Sequence, residues 1–225
     1  MRRFLRSGSL SLVFLTIFLL ALVGQSIAGH AYNNEELAQH EQPPVAYIDF
    51  VTSSDFLVDV AENWQSEFLQ FFLFILATIW LVQRGSPESK KDGDEGVGSD
   101  EEQHVGAHAR PDSPRWAKAR GVRLWIYSNS LLLVMGAVFA FSWLAQSFAG
   151  QVVANEQNAQ HGVAALSWGD YVVSAEFWNR TLQNWQSEFL AVGAMVAFSI
   201  YLRQRGSSES KPVGMPHHMS SVESE

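Results

Sequence analysis

Four long apolar runs, separated by polar loops, dominate the pattern of the chain. Each run is apolar on all sides rather than along one stripe, and each has about the 20 residues that a membrane-spanning helix needs. The runs are Ser9–Ala28, Trp64–Val82, Trp125–Ala149 and Trp185–Leu202. The alternative, that they are core helices of a soluble protein, is less consistent with runs that have no polar face.

The first run also resembles a secretory signal peptide. Arg2, Arg3 and Arg6 precede it, and Ser26-Ile27-Ala28 resembles a cleavage site. However, the same pattern QS-x-AG ends the third run, at residues 146–150, where a signal peptide cannot lie. We therefore expect the first run to be retained as a helix.

The seven residues NWQSEFL occur twice, at Asn63–Leu69 and at Asn184–Leu190. With an offset of about 121 residues and no gap, about 36 of roughly 89 aligned positions are identical. Each copy contains two apolar runs, so the chain is predicted to be an all-α membrane protein with four transmembrane helices in two tandem hairpins. Because each hairpin returns the chain to its starting side, the two copies form a parallel repeat.

This pattern divides the chain into four regions. Residues 1–84 form the first transmembrane hairpin repeat, and residues 122–205 form the second. Residues 85–121 are acidic and poor in apolar side chains, which predicts a flexible cytoplasmic linker. Residues 206–225 are predicted to form a disordered cytoplasmic tail.

Lysine and arginine concentrate on one side of the predicted membrane. Arg180 is the only lysine or arginine in the loops 29–63 and 150–184, whereas both termini and the linker are rich in these residues. The positive-inside rule therefore predicts a multi-pass protein with cytoplasmic N- and C-termini and two loops that face outward.

Composition excludes several kinds of function. The chain has no cysteine, so disulfides, thiolate nucleophiles and cysteine metal sites are ruled out. Its formal charge is −8, and no basic patch with interleaved aromatic residues points to nucleic acid. No phosphate-binding glycine loop or catalytic motif is present. We expect a non-enzymatic protein with no cofactor and with no catalytic, cofactor-binding or metal-ligating residue.

Repeated polar residues reach a similar depth near the outer edge of the predicted spans, because a helix rises about 1.5 Å per residue. They predict a polar cluster in each hairpin, with the glutamate facing the Gln-Ser pair. The cluster consists of Gln25, Ser26 and Glu67 in the first hairpin, and of Gln146, Ser147 and Glu188 in the second. Trp64 and Trp185 lie one turn outward, as interfacial anchors. The glutamates are expected to cap the helix ends; the alternative is a proton or cation site made by two carboxylates.

The outer loops repeat a second set of polar residues. Glu35 and His40 correspond to Glu156 and His161, and carboxylate with imidazole is a credible metal-ligand set. A spacing of five does not align two ligands on one helix face, so loop capping and interfacial hydrogen bonding are favoured over a metal site. After each loop a helix start is expected, with Ser53 or Ser54 as the N-cap in the first copy.

The double pattern QS-x-AG, NE-x-x-x-x-H, NWQSEFL and QRGS-x-ESK resembles an uncharacterised family of bacterial four-helix membrane proteins, a domain of unknown function. The resemblance implies a bacterial inner (plasma) membrane protein and carries no activity to any residue. The favoured function is a structural, interaction or envelope-stress role. The alternatives are a small transporter or channel component that uses Glu67 and Glu188, and a metal-dependent membrane enzyme. The expected partners are the lipid bilayer and either a second copy of the chain or an unidentified membrane protein.

Overall fold

The computed structural model describes residues 7–220, and in that range the protein consists of helices and turns without β-strands. The basic residues Arg2, Arg3 and Arg6 lie outside the described residues. In chain order the helices are α1 (Ser9–Gln39), α2 (Tyr47–Val51), α3 (Ser54–Trp80), α4 (Val122–Ser128), α5 (Ser130–Gln160), α6 (Trp168–Val172) and α7 (Ala175–Tyr201), with a 3-10 turn at Gly106–His108.

A long, a short and a long helix follow one another twice along the chain. Helices α1 and α5 have 31 residues each, α2 and α6 have 5 each, and α3 and α7 have 27 each. Each helix of the second series begins about 121 residues after its counterpart, the offset at which the sequence aligns with itself. The α-helical fold class is therefore confirmed for the described residues.

Serine hydroxyls start the helices that follow the short segments. The backbone N–H of Phe56 donates to the Ser53 hydroxyl over 3.3 Å, which confirms the predicted N-cap. Ser174 plays the same part for α7, where its hydroxyl accepts from the N–H of Phe177 over 3.2 Å. These hydroxyls satisfy N–H groups that have no partner within the first helical turn.

The chain forms two compact units, and the first contains Met1–Val60 with Ala145–Tyr171. Its described part holds α1, α2, the start of α3, the end of α5 and most of α6. A small apolar core is formed there by Val58, Ala149 and Val153, all of them buried. Long apolar stretches of α1 lie outside this core, so packing within the unit leaves most of the helix uncovered.

The second unit contains Ala61–Leu144 with Val172–Glu225. Trp143 of α5 lies at the centre of an aromatic group and stacks on Phe139 and Phe177, with ring centroids 5.6 and 6.0 Å away. Nearer the start of α5, a Cβ on Gly136 would come within 2.9 Å of the Phe72 ring of α3. Glycine at this position therefore allows the two helices to approach closely.

Among the described residues, α1 and α5 are long and apolar enough to cross a membrane. The side chains of their most apolar stretches are almost all exposed, whereas the core helix of a soluble protein would bury them. An N-terminal signal sequence would meet the same criteria of length and composition as α1. The structure thus identifies two candidate spans where the sequence predicts four.

Candidate functional site

The repeated motif QS-x-AG holds the short helix α2 against α1. The Ser26 hydroxyl lies 2.7 Å from the phenol oxygen of Tyr47, the first residue of α2. One turn further along α1, a Cβ on Gly29 would come within 2.9 Å of the Phe50 ring, so glycine provides the space into which that ring packs. Serine and glycine of the motif therefore position two aromatic side chains of the same short helix.

The second copy repeats this arrangement with different aromatic residues. The indole N–H of Trp168 donates to the Ser147 hydroxyl over 3.0 Å. Tyr171 is fully buried, and a Cβ on Gly150 would come within 2.3 Å of its phenol oxygen. The motif is evident in the sequence but its aromatic partners are not, although the partners lie at corresponding positions of the two copies.

The asparagines of the NE-x-x-x-x-H motif fasten the loop that leads into each short helix. The Asn34 side chain accepts from the backbone N–H of Val45 over 2.8 Å and donates to its carbonyl over 3.2 Å. Asn155 makes the same two bonds with Leu166, over 2.7 and 3.0 Å. An amide side chain can pair in this way because it presents a donor and an acceptor side by side. Asn34 and Asn155 therefore hold these loops to the long helices that precede them.

Polar residues of α3 and α7 meet along a seam in the second unit. The Arg180 guanidinium donates to the Glu62 carboxylate over 3.0 Å, and both side chains are partly buried. The indole N–H of Trp185 donates to the side-chain oxygen of Gln65 over 2.8 Å. The sequence predicts Trp185 only as an interfacial anchor, yet the Trp185 side chain joins the two copies of NWQSEFL by a direct hydrogen bond.

The two motif glutamates lie close to one another beside this seam. Glu67 is exposed and Glu188 is partly buried, and their carboxylates are near enough to repel. The Gln70 amide donates to the backbone carbonyl of Glu188 over 3.3 Å, which ties α7 to α3 at this level. Each copy of NWQSEFL therefore contributes one glutamate to this pair.

The other predicted cluster residues are placed as follows. Ser26, Gln146 and Ser147 are buried, and Gln25 is partly exposed. The Ser26 hydroxyl bonds to the Val23 carbonyl of its own helix and to Tyr47, and the Ser147 hydroxyl accepts from Trp168. Contact between each glutamate and the Gln-Ser pair of its own hairpin stays a prediction. Trp64 is 41% exposed, and its role as an interfacial anchor likewise stays a prediction.

The outer-loop residues fall into two groups. His40 and Glu156 line one cavity of about 280 Å³ in the first unit, although they come from different copies. Glu36, Asp49 and Asp55 line the same cavity, and Asp55 is close enough to Glu156 for their charges to repel. Glu35 and His161 are not among its lining residues, and the His161 ring contacts the carbonyl of Gln157 in its own helix.

Acidic side chains surround this cavity without converging on one point. Within residues 7–220, no group of three or more histidine and acidic side chains is arranged to hold a metal ion. A metal site needs several ligands at similar distances from one centre. The cavity can attract positive charge, but its geometry assigns no catalytic or metal-binding role to His40 or Glu156.

The QRGS-x-ESK motifs meet beyond the C-terminal ends of α3 and α7. The hydroxyl of Ser86 in the first motif lies 3.4 Å from that of Ser199 in the last turns of α7, and the side chains of Glu88 and Glu209, one from each motif, share a hydrogen bond. Burial, then this hydrogen bond and repulsion from Glu209, raise the pKa of Glu88 above its ordinary value. The two carboxylates are therefore most compatible with the fold when one of them carries a proton.

Glu88→Gln should raise stability at neutral pH and flatten its dependence on pH. A carboxyl with a raised pKa binds its proton more tightly in the folded state, so its favourable contribution is present below the unfolded value of 4.5 and is lost as the pH rises through the folded value. Thermal unfolding of the detergent-solubilised protein from acid to neutral pH checks this, with Glu101→Gln in the linker as the control. An unchanged pH profile in Glu88→Gln would show that the pair does not affect folding.

Comparison with known proteins assigns the chain to a family. A family model described as a domain of unknown function (DUF6766) matches residues 1–222, so the chain belongs to this family. No curated protein and no solved structure matches the chain. Membership confirms the predicted resemblance to an uncharacterised family and brings no activity with it.

Proposed function

We propose that this DUF6766 protein is a multi-pass integral membrane protein with a structural or interaction role in the bacterial cell envelope, rather than an enzyme. The apolar surface of α1 carries this proposal. Leu10, Phe14 and Leu20 are 72%, 64% and 68% exposed, and they belong to an almost uncharged helix. Apolar surface on this scale is unfavourable in water and is compatible with contact to lipid tails.

Four spans arranged as two hairpins are part of the proposal. Helices α3 and α7 have 27 residues each, about 40 Å of helix, which is longer than a hydrocarbon core of about 30 Å. Their polar residues gather toward one end, where Glu62, Gln65 and Arg180 bond with the neighbouring helix. Polar groups with partners are tolerated near the edge of a membrane.

A structural role agrees with how the repeated residues are used. Ser26, Asn34, Ser147 and Asn155 all bond within the chain and hold the short helices and their loops in place. Because these motifs are engaged in intramolecular contacts, they stabilise a fixed shape that a partner can recognise. The expected partner is a second copy of the chain or another membrane protein.

Single cysteines should reveal the proposed topology, because the chain has no cysteine of its own. Gln42→Cys and Val163→Cys lie in the two outward loops, whereas Ser99→Cys and Ser208→Cys lie in the linker and the tail. A membrane-impermeant maleimide applied to intact cells should label the first two and should reach the last two only after permeabilisation. The positive-inside distribution of Lys and Arg is the physical reason.

Two results, one from labelling and one from the mass of the mature protein, would contradict this topology. Labelling of Gln42→Cys and Val163→Cys on opposite sides of the membrane would exclude the parallel arrangement of two hairpins. A mature protein whose mass lacks the first 28 or so residues would show that α1 is a cleaved signal sequence. Either result would leave a different number of spans.

A second candidate function is a small transporter of protons or cations, which the proximity of Glu67 and Glu188 favours. Two neighbouring carboxylates at a membrane edge can hold a cation or share a proton. In liposomes the structural proposal predicts no proton or cation flux above that of empty vesicles. Flux that is lost in the double variant with Glu67→Gln and Glu188→Gln, but kept in Glu62→Gln, would establish the transporter function instead.

A further inference from the structure

A cluster of basic side chains surrounds a cavity of about 310 Å³ just beyond the C-terminal end of α3. We call it the basic pocket; its charged and titratable lining residues are Arg84, Lys90, Lys91, Asp92 and His218. Three permanent positive charges thus face one cavity together with a single carboxylate. The cavity therefore has the electrostatic character of an anion site.

Two of these cations have no partner within the described part of the chain. The side chains of Arg84 and Lys91 make no hydrogen bond or ion pair with any residue from 7 to 220, whereas the Lys90 ammonium donates to the carbonyl of Gly96. Asp92 lies in the same lining and forms no ion pair with either cation. Arg84 and Lys91 are therefore available to a ligand.

The walls of the basic pocket are held by specific contacts. Gly85 has a positive φ of 86°, and a Cβ there would come within 2.1 Å of the His217 carbonyl oxygen, so only glycine fits. The buried Lys211 ammonium donates to the carbonyl of Gly85 and, over 3.0 Å each, to those of His217 and Met219. These bonds hold the segment that carries His218 opposite Arg84.

We propose that the basic pocket binds a phosphate group, through the Arg84 guanidinium and the Lys91 ammonium. A guanidinium matches two phosphate oxygens with two parallel N–H groups, and an ammonium adds a point charge. The phosphate belongs either to an anionic lipid headgroup or to a free phosphate. Binding of a lipid headgroup rests on the membrane placement proposed above, since basic residues next to a span attract anionic lipids. Binding of free phosphate does not depend on that placement.

The second copy of the sequence provides a matched control. Arg205 occupies the position that corresponds to Arg84 and is exposed in the same way, but it does not line the basic pocket. Lys91 has no cationic counterpart, because Pro212 stands at the corresponding position. Arg205→Gln therefore removes the same charge near the same predicted membrane surface without touching the site.

The test uses the full chain in detergent and in nanodiscs. Native mass spectrometry compares the retention of phosphatidylglycerol with that of phosphatidylcholine. The proteins compared are the wild type, the double variant that combines Arg84→Gln and Lys91→Gln, and the single variant Arg205→Gln. Thermal unfolding in detergent with and without inorganic phosphate tests the free source. Each cation that lines the basic pocket should strengthen anion binding there about fivefold, so the double variant should bind phosphatidylglycerol about 25-fold more weakly. Arg205→Gln should leave this binding unchanged, because Arg205 does not line the pocket.

Each outcome has a defined meaning. Selective loss of phosphatidylglycerol in the double variant supports the site with a lipid source, and loss of stabilisation by inorganic phosphate in that variant supports it with a free source. Equal binding in wild type and double variant, or equal loss in Arg205→Gln, overturns the proposal. Lys91→Gln alone should give a fivefold effect and covers the case in which the double variant does not fold. Inorganic phosphate binding does not depend on topology, so failure of the membrane proposal would be distinguishable.

Discussion

Gly150→Ala should destabilise the protein by about 1–3 kcal/mol, as overpacking of a buried site does. A Cβ at this position would come within 2.3 Å of the Tyr171 phenol oxygen and within 3.0 Å of its ring. Tyr171 is 0% exposed, so its ring is enclosed by other residues and cannot turn out into solvent without disturbing them. Denaturation of the purified protein in mixed micelles, followed by tryptophan fluorescence, measures the change.

Two glycines of α1, the helix that corresponds to α5 in the first copy, serve as controls. Gly29→Ala meets only the tip of the Phe50 ring, at 2.9 Å, and should cost less than Gly150→Ala. Gly24→Ala meets no atom within 4 Å and should be neutral or stabilising, because alanine favours a helix over glycine. The corresponding residue of the second copy is already Ala145. Equal stability of the Gly24 and Gly150 variants would contradict the packing of Tyr171 on α5.

Lys211→Met should release the segment that follows it from the end of α3. Lys211 is 1% exposed, and its ammonium donates to the carbonyls of Gly85, His217 and Met219. Methionine retains the apolar length of the side chain but leaves these carbonyls without their charged donor, a loss of about 1–3 kcal/mol. In a Met219→Cys background, the rate of maleimide labelling should therefore rise several-fold.

Lys90→Met is the matched control, because Lys90 occupies the corresponding position of the first copy. Its ammonium donates to the Gly96 carbonyl, and no hydrogen bond joins it to residues 217–219 within the described part of the chain. Labelling at position 219 should stay at the wild-type rate in this variant. If Lys211→Met labelled no faster than Lys90→Met, the carbonyl contacts of Lys211 would not be what holds the segment.

The sequence alone determined the features that depend on neighbouring residues. Apolar runs without a polar face predicted helices, and α1, α3 and α7 lie where three of those runs lie. The third run, Trp125–Ala149, was predicted as one helix but is divided at Asn129 between α4 and α5. A serine just before an apolar segment predicted an N-cap, and Ser53 provides it. The doubled motifs indicated an uncharacterised family, and a family model covers residues 1–222. Flexibility of the linker, disorder of residues 206–225 and the four-span topology stay predictions.

Only the tertiary structure decided which partners the repeated residues have. Gln65 and Gln186 stand in identical heptapeptides, yet Gln65 is 0% exposed against Trp185, whereas Gln186 is exposed. Likewise, Lys211 is buried among carbonyls while Lys90 remains half-exposed. The reason is physical: a sequence sets which residues share one face of a helix, but the neighbour that covers that face depends on how distant helices rotate and pack. Two identical segments can therefore have different environments in one chain.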